Sequence, residues 1–79
     1  MNLLNFLRYT DFSGMSVNIF DLNADDTIYE GTISSIPWWI VDEMELVSKR
    51  ELQGEAPIQL RQKKDHIPFV WICVKNRLG

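Results

Sequence analysis

The sequence predicts a mainly β domain of the α+β class. It would consist of a short N-terminal helix and a five-stranded antiparallel sheet, strongly bent or curled into a small open barrel. Apolar and polar residues alternate in several short stretches, and clusters of turn-forming residues separate them. The segment 69–74 is apolar at every position, as in a central strand covered on both faces. With 79 residues, 46% of them hydrophobic, we expect one globular domain over 1–79.

The first elements predict a helix followed by a hairpin. Residues 2–9 show helical spacing of apolar residues, but two turns form a helix only if it docks on the rest of the domain. Residues 15–21 alternate, 22–26 are rich in Asn and Asp, and 27–34 form the returning strand. Gly31 lies on the inward side of that strand, where a missing side chain permits a bulge, a bend or a close approach.

The middle of the chain predicts a short helical turn near residues 35–40 and then a third strand. Ser34 and Ser35 are possible caps ahead of Pro37, which favours the first positions of a helix. Val41 onward is predicted to be extended, with Glu43 and Glu45 on one face of the strand. Residues 53–57 form a loop. Residues 58–62 and 67–74 form the last hairpin around a polar turn.

Two adjacent tryptophans, Trp38 and Trp39, stand behind Pro37 near the middle of the chain. Adjacent residues point to opposite faces of a strand and are about 100° apart on a helix. We therefore expect one indole to fill the core and the other to reach solvent or a partner. The alternative is that both lie in the core, because so short a chain needs its large side chains inside.

The net charge of −3 hides an uneven distribution. Residues 1–46 carry eight acidic residues and one basic residue, whereas residues 47–79 carry seven basic and three acidic residues. The two halves therefore have charges of −7 and +4. Either the halves fold against each other and their charges pair, or the molecule is bipolar and attracts partners by charge.

The residues that could carry catalysis or bind a metal are few. The chain has one histidine, His66, and one cysteine, Cys73, so neither a histidine pair nor an internal disulfide can form. We interpret His66 as a turn residue and Cys73 as a buried, unreactive thiol. The chain has no phosphate-binding loop, nucleophile elbow or zinc-protease motif. The sequence therefore predicts neither an enzyme nor a metal or cofactor site.

A protein–protein interaction or accessory module is the function that the sequence favours. Its partner would be another protein or a second copy of the chain, as in a homodimer. Tryptophan and tyrosine are enriched in binding hot spots, and an acidic strand would form the rim. The predicted contact residues are Trp38, Trp39, Tyr29, Glu43 and Glu45.

The alternative function is binding of single-stranded nucleic acid by a small barrel. Basic and aromatic residues on the last hairpin would carry it: Arg61, Lys63, Lys64 and Trp71. The net negative charge makes nucleic acid the less favoured partner. No stretch approaches the about 20 apolar residues of a membrane span, and a lone cysteine suits a reducing compartment. We therefore expect a cytoplasmic protein without a membrane partner.

Overall fold

A five-stranded sheet forms nearly half of residues 15–77, the part of the chain that this computed structural model describes. Its strands are β1 (Ser16–Asp21), β2 (Asp26–Thr32), β3 (Met44–Leu46), β4 (Ile58–Gln62) and β5 (Pro68–Asn76). A 3-10 helix (Ile33–Ser35) and a short helix α1 (Trp38–Glu43) connect β2 to β3. The predictions of a mainly β class, five strands and a helical insertion are confirmed. The predicted helix at residues 2–9 lies outside the described residues.

Strand β5 is the centre of the sheet, as its continuous apolar run predicts. Strand β1 lies parallel to it on one side, with Ser16 opposite Phe69, and β2 lies antiparallel to β1 at the outer edge. Strands β3 and β4 both lie antiparallel to β5 on its other side. The sheet is therefore mixed, and the prediction of a purely antiparallel sheet is wrong.

The helical segment 33–43 is the reason for the parallel pair. It packs on one face of the sheet and takes the chain from β2 to the far side of β5, so that β3 runs in the same direction as β2. Strand β5 then returns antiparallel to β3 and β4, which makes it parallel to β1. The sheet is not closed. Among the described strands, β2 forms one of its edges, and β3 and β4 form the other.

Strands β3 and β4 pair with the same edge of β5, one after the other. Leu46 pairs with Val74, and Ile58 pairs with Ile72, so the segments follow each other on the same edge. The loop 47–57 interrupts them opposite Cys73, whose backbone carbonyl accepts from the N–H of Val47 and whose N–H donates to the carbonyl of Pro57. The loop is thus an excursion from an almost continuous strand.

The third strand is shorter than its sequence predicts. Helix α1 continues to Glu43, and β3 has only three residues. Glu43 is therefore the last helical residue and Glu45 a strand residue, so the prediction that they share one strand face is wrong. Alternation over so few residues fits a helix and a strand about equally well, and packing of Ile40 on the core decides in favour of the helix.

The core lies between α1 and one face of the sheet. It is formed by apolar side chains of β1, β5, α1 and β3, namely Val17, Ile19, Val70, Ile72, Val74, Ile40 and Met44. Phe20, Trp71 and the fully buried Cys73 belong to the opposite face, where the rings of Phe20 and Trp71 lie 5.9 Å apart. Strand β5 thus carries apolar side chains on both of its faces, as predicted.

Gly31 allows the close approach that its position in β2 predicts. Its φ is +153°, and a Cβ at this position would lie 2.8 Å from the hydroxyl oxygen of Tyr29. That hydroxyl donates to the carbonyl of Thr32 at 2.7 Å. The bulge itself lies elsewhere, at Ile28, which has no partner in β1. A side chain at residue 31 would therefore displace the ring of Tyr29.

Candidate functional site

Helix α1 is short and is held in place by the rest of the fold. Pro37 precedes its first residue, and the N–H of Ile40 donates to the Pro37 carbonyl at 3.1 Å. At its other end Arg77 donates from its backbone N–H to the Glu43 carbonyl and from its guanidinium to the Asp42 carbonyl, both at 2.9 Å. A cation at this end also interacts favourably with the helix dipole. Six residues would not form a stable helix alone, so these contacts and the packing of Ile40 hold it.

The phase of α1 determines which side chains face outward. Ile40 of α1 and Met44, the first residue of β3, are both buried in the core. At about 100° per residue, Trp38 lies roughly opposite Ile40, and Trp39 lies at the flank. The exposures agree, because Trp38 is 75% and Trp39 40% exposed. Neither indole belongs to the core cluster, so the prediction that one of them fills the core is wrong.

Two carboxylates stand beside the exposed indoles. Asp42 follows Trp38 by four residues and Glu43 follows Trp39 by four residues, a spacing that places each pair on one face of a helix. Both acidic residues are exposed, and neither forms a salt bridge with another described residue. We call Trp38, Trp39, Asp42 and Glu43 the α1 surface. It combines a large apolar area with two exposed carboxylates, and the Arg77 guanidinium lies at the Asp42 carbonyl.

The other predicted contact residues lie apart from the α1 surface. Tyr29 is half-buried on the core face of β2, and its hydroxyl is bonded to Thr32. Glu45 pairs with Lys75 across β3 and β5, and their charged atoms are 3.8 Å apart. Lys75 has the same strand parity as Trp71 and so belongs to the sheet face opposite α1. The structure therefore brings together Trp38, Trp39 and Glu43 but not Tyr29 or Glu45.

The residues of the nucleic-acid alternative lie on the β4–β5 hairpin. The guanidinium of Arg61 lies over the Trp71 ring, 4.0 Å from its centroid, and also donates to Gln59. The Arg61 guanidinium therefore already covers the ring on which a base would have to stack. Lys63 and Lys64 are exposed in the turn of the hairpin. Nucleic-acid binding stays a prediction, and it would rest mainly on these two lysines.

The single histidine and cysteine have the local placements that the sequence predicts. His66 is an exposed turn residue with a positive φ of 65°, and its N–H donates to the Lys63 carbonyl. Cys73 is fully buried, and burial, together with the charges of Asp21 and Glu51, raises the pKa of its thiol to about 11. Among residues 15–77 no three His, Cys, Asp or Glu side chains converge as metal ligands would.

The hairpin carries two exposed apolar residues that the sequence analysis did not single out. Leu60 is 70% and Ile67 55% exposed. Leu60 pairs with Val70 and so lies on the core side of the sheet, but its position on an edge strand leaves it uncovered. The predicted contact residues did not include Asp42, because a strand from Val41 onward would separate its side chain from Trp38. A predicted helix that continued to Glu43 would have placed Asp42 on the same face as Trp38.

Comparisons with protein-family models, with curated proteins and with solved structures give no match. In the described part of the chain, no helix has the length and apolar character needed to cross a membrane. The function is therefore inferred from the surface of the molecule.

Proposed function

We propose that this chain is a non-enzymatic protein-interaction module and that it binds its partner through the α1 surface. The observation that carries the proposal is the exposure of two adjacent tryptophans on a helix whose inner side already fills the core. Tryptophan is among the residues most enriched in binding hot spots, and isolated proteins rarely leave such large apolar groups together in water. We propose that the module acts in the cytoplasm and needs no cofactor.

The carboxylates of the α1 surface support a partner with basic as well as apolar groups. A lysine or arginine of the partner could contact an indole face and a carboxylate at once, because each pair lies four residues apart on α1. Acidic partners would be repelled by Asp42 and Glu43. We therefore propose a partner segment in which apolar side chains alternate with lysine or arginine.

Selection from a random peptide library on the immobilised 79-residue chain tests the proposal. The affinities of the recovered peptides are then measured by titration calorimetry for the unaltered protein, Trp38→Ala, Trp39→Ala and Leu60→Ala. Hot-spot truncations cost about 2 kcal/mol or more, which corresponds to a roughly 30-fold weaker Kd. We expect this loss for Trp38→Ala and enrichment of lysine and arginine in the peptides.

Leu60→Ala is the matched control, because it removes an apolar side chain of similar exposure from a different element. It should leave the Kd within about twofold, a difference well below 1 kcal/mol. Recovery of no binding peptide, or of peptides whose affinity is the same for Trp38→Ala and Trp39→Ala as for the unaltered chain, would contradict the proposal.

A further inference from the structure

The outer edge of strand β4 is unpaired within residues 15–77. The N–H of Cys73 donates to the Pro57 carbonyl at one end of β4, and the N–H of Lys63 donates to the Ile67 carbonyl at the other end. Along an antiparallel strand the backbone groups of alternate residues point to opposite sides, so Pro57, Lys63 and the residues of the same parity between them point to β5. The N–H and C=O groups that point outward belong to the other residues of β4, namely Ile58, Leu60 and Gln62.

The β4 edge lacks the features that discourage another strand from pairing with a sheet. Protected edges carry a bulge, a proline or an inward-pointing charge. Strand β4 pairs with β5 in an unbroken register, contains no proline and has Leu60 at its midpoint, with 70% of this residue exposed. Its one charged side chain, Arg61, lies over the Trp71 ring. By contrast, β2 at the other edge contains the bulge at Ile28 and no exposed large apolar residue.

We propose that a second copy of this chain pairs its own β4 with this edge, antiparallel and with the twofold axis beside Leu60. The outward backbone groups of β4 are self-complementary in this register, because Leu60 meets Leu60 of the second copy and Ile58 meets Gln62. Each of these three pairs exchanges two backbone hydrogen bonds, about six in all. A register centred on Ile58 or on Gln62 would pair fewer residues of β4.

The side chains on both faces of β4 suit this register. On the face that carries α1, the two Leu60 side chains cover each other, and the partly buried Ile58 extends the apolar contact. On the other face Arg61 stands opposite Gln59 of the second copy, so no two like charges are directly opposed. Each guanidinium also stays over Trp71 of its own copy, 4.0 Å from the ring centroid.

The area available suits a weak dimer. An edge of five residues is about 17 Å long, and pairing two such edges covers roughly 700 Å² in all, less than the about 1,200 Å² of a stable interface. We therefore expect a dissociation constant of about 100 μM. Because the contact is made by backbone groups and leucine, the constant should depend little on salt.

The dimer would be one continuous sheet across both copies. Its twofold axis would stand perpendicular to the sheet, so the two α1 helices would lie on the same side, and the assembly would close at two chains. The module of the proposed function would then be bivalent, a consequence that rests on that proposal whereas the dimer itself does not.

Opposite charges at residue 60 test this dimer by analytical ultracentrifugation of the full 79-residue chain. Leu60→Lys and Leu60→Glu each set two like charges against each other at the twofold axis. We expect both to be monomeric at about 300 μM, where the unaltered chain is mainly dimeric. A 1:1 mixture sets lysine against glutamate, and we expect the mass of a dimer to return. Circular dichroism establishes that each variant is folded.

Ile67→Lys is the matched control. It makes the same change of charge at the other exposed apolar residue of the hairpin, which lies across from Lys63 and away from the β4 edge, and it should dimerise like the unaltered chain. If the variants of Leu60 unfold, Gln62→Pro takes their place. The Gln62 N–H points outward, so proline removes hydrogen bonds of the dimer and none within the sheet, and we expect a monomer.

The outcomes separate the two proposals. An unaltered chain that stays monomeric at about 500 μM overturns the dimer, as does a mixture that stays monomeric or a dimer that Leu60→Lys and Leu60→Glu each still form. Equal loss of the dimer in Ile67→Lys would show unspecific apolar association and overturn it too. If the chain is monomeric and the selected peptides lose affinity in Leu60→Ala, the β4 edge binds a foreign strand and not a second copy. Peptide binding through the α1 surface depends on Trp38 and not on Leu60, so either proposal can fail alone.

Discussion

Alanine substitution at three consecutive residues of α1 separates a binding role from a structural one. Trp38 is 75% exposed, Trp39 is 40% exposed and Ile40 is fully buried. If α1 presents its indoles to a partner, the cost of truncation to the free energy of unfolding must rise along this series. The cost to binding must be largest at Trp38.

The expected costs follow from the buried area. About a quarter of the Trp38 side chain is out of water, or about 50 Å² of the roughly 200 Å² that a buried aromatic removes from water. At about 25 cal/mol per Å² this corresponds to about 1 kcal/mol for Trp38→Ala and about 3 kcal/mol for Trp39→Ala. Ile40→Ala leaves a cavity in the core and should cost about 2–5 kcal/mol. A chain of this length has a stability of only roughly 4–12 kcal/mol in all.

Urea denaturation followed by far-ultraviolet circular dichroism measures these costs. Tryptophan fluorescence is unsuitable, because two of the variants remove a fluorophore. An unchanged slope of free energy against urea concentration shows that the same surface unfolds in each variant. If Trp38→Ala destabilises the fold as much as Ile40→Ala does, the indole is structural, and the reasoning from exposure is refuted.

Three further predictions concern other parts of the fold. Gly31→Ala should lower the free energy of unfolding by about 1–3 kcal/mol, because the new Cβ displaces the Tyr29 ring. In a Tyr29→Phe background, chemical denaturation should give a smaller loss. An equal loss would exclude the Tyr29 hydroxyl as the cause. The Cys73 thiol, with its pKa raised to about 11 by burial, should react with a thiol reagent at the rate of unfolding; rapid labelling of the folded protein would contradict its burial. Hydrogen bonding from Lys75 lowers the pKa of Glu51, so this contact stabilises the fold above the ordinary pKa of a glutamate and is lost as the pH falls through the lowered value. In Lys75→Met, NMR titration should find a higher Glu51 pKa, and an unchanged one would show that Lys75 is not the cause.

Local patterns in the sequence were sufficient for the strands but not for their arrangement. Alternation and turn residues predict β1, β2 and the β4–β5 hairpin, because each depends on neighbours in the chain. The apolar run predicts that β5 is central. The parallel pairing of β1 with β5 joins residues about fifty positions apart, such as Ser16 and Phe69, and no local pattern specifies it.

The candidate site was predicted in part, and the reason lies in the helix. The sequence singles out Trp38, Trp39 and Glu43, which α1 does bring together. It fails on their exposure, because that depends on the phase of the helix, and the phase is fixed by which residue packs on the sheet. Ile40 takes that place. A helix that buried Trp39 instead would leave only Trp38, at the flank of the helix, to reach solvent.

The central position of β5 has a consequence for how the protein is made. Of the described strands, β1 and β2 leave the ribosome first during synthesis, yet β5, which joins β1 to β3 and β4, is the last to emerge. Until then the strand edges of β1, β3 and β4 that pair with β5 have no partner strand. Contacts between such distant segments slow folding, so the nascent chain should depend on transient protection from aggregation until its final strand is free to insert between the others.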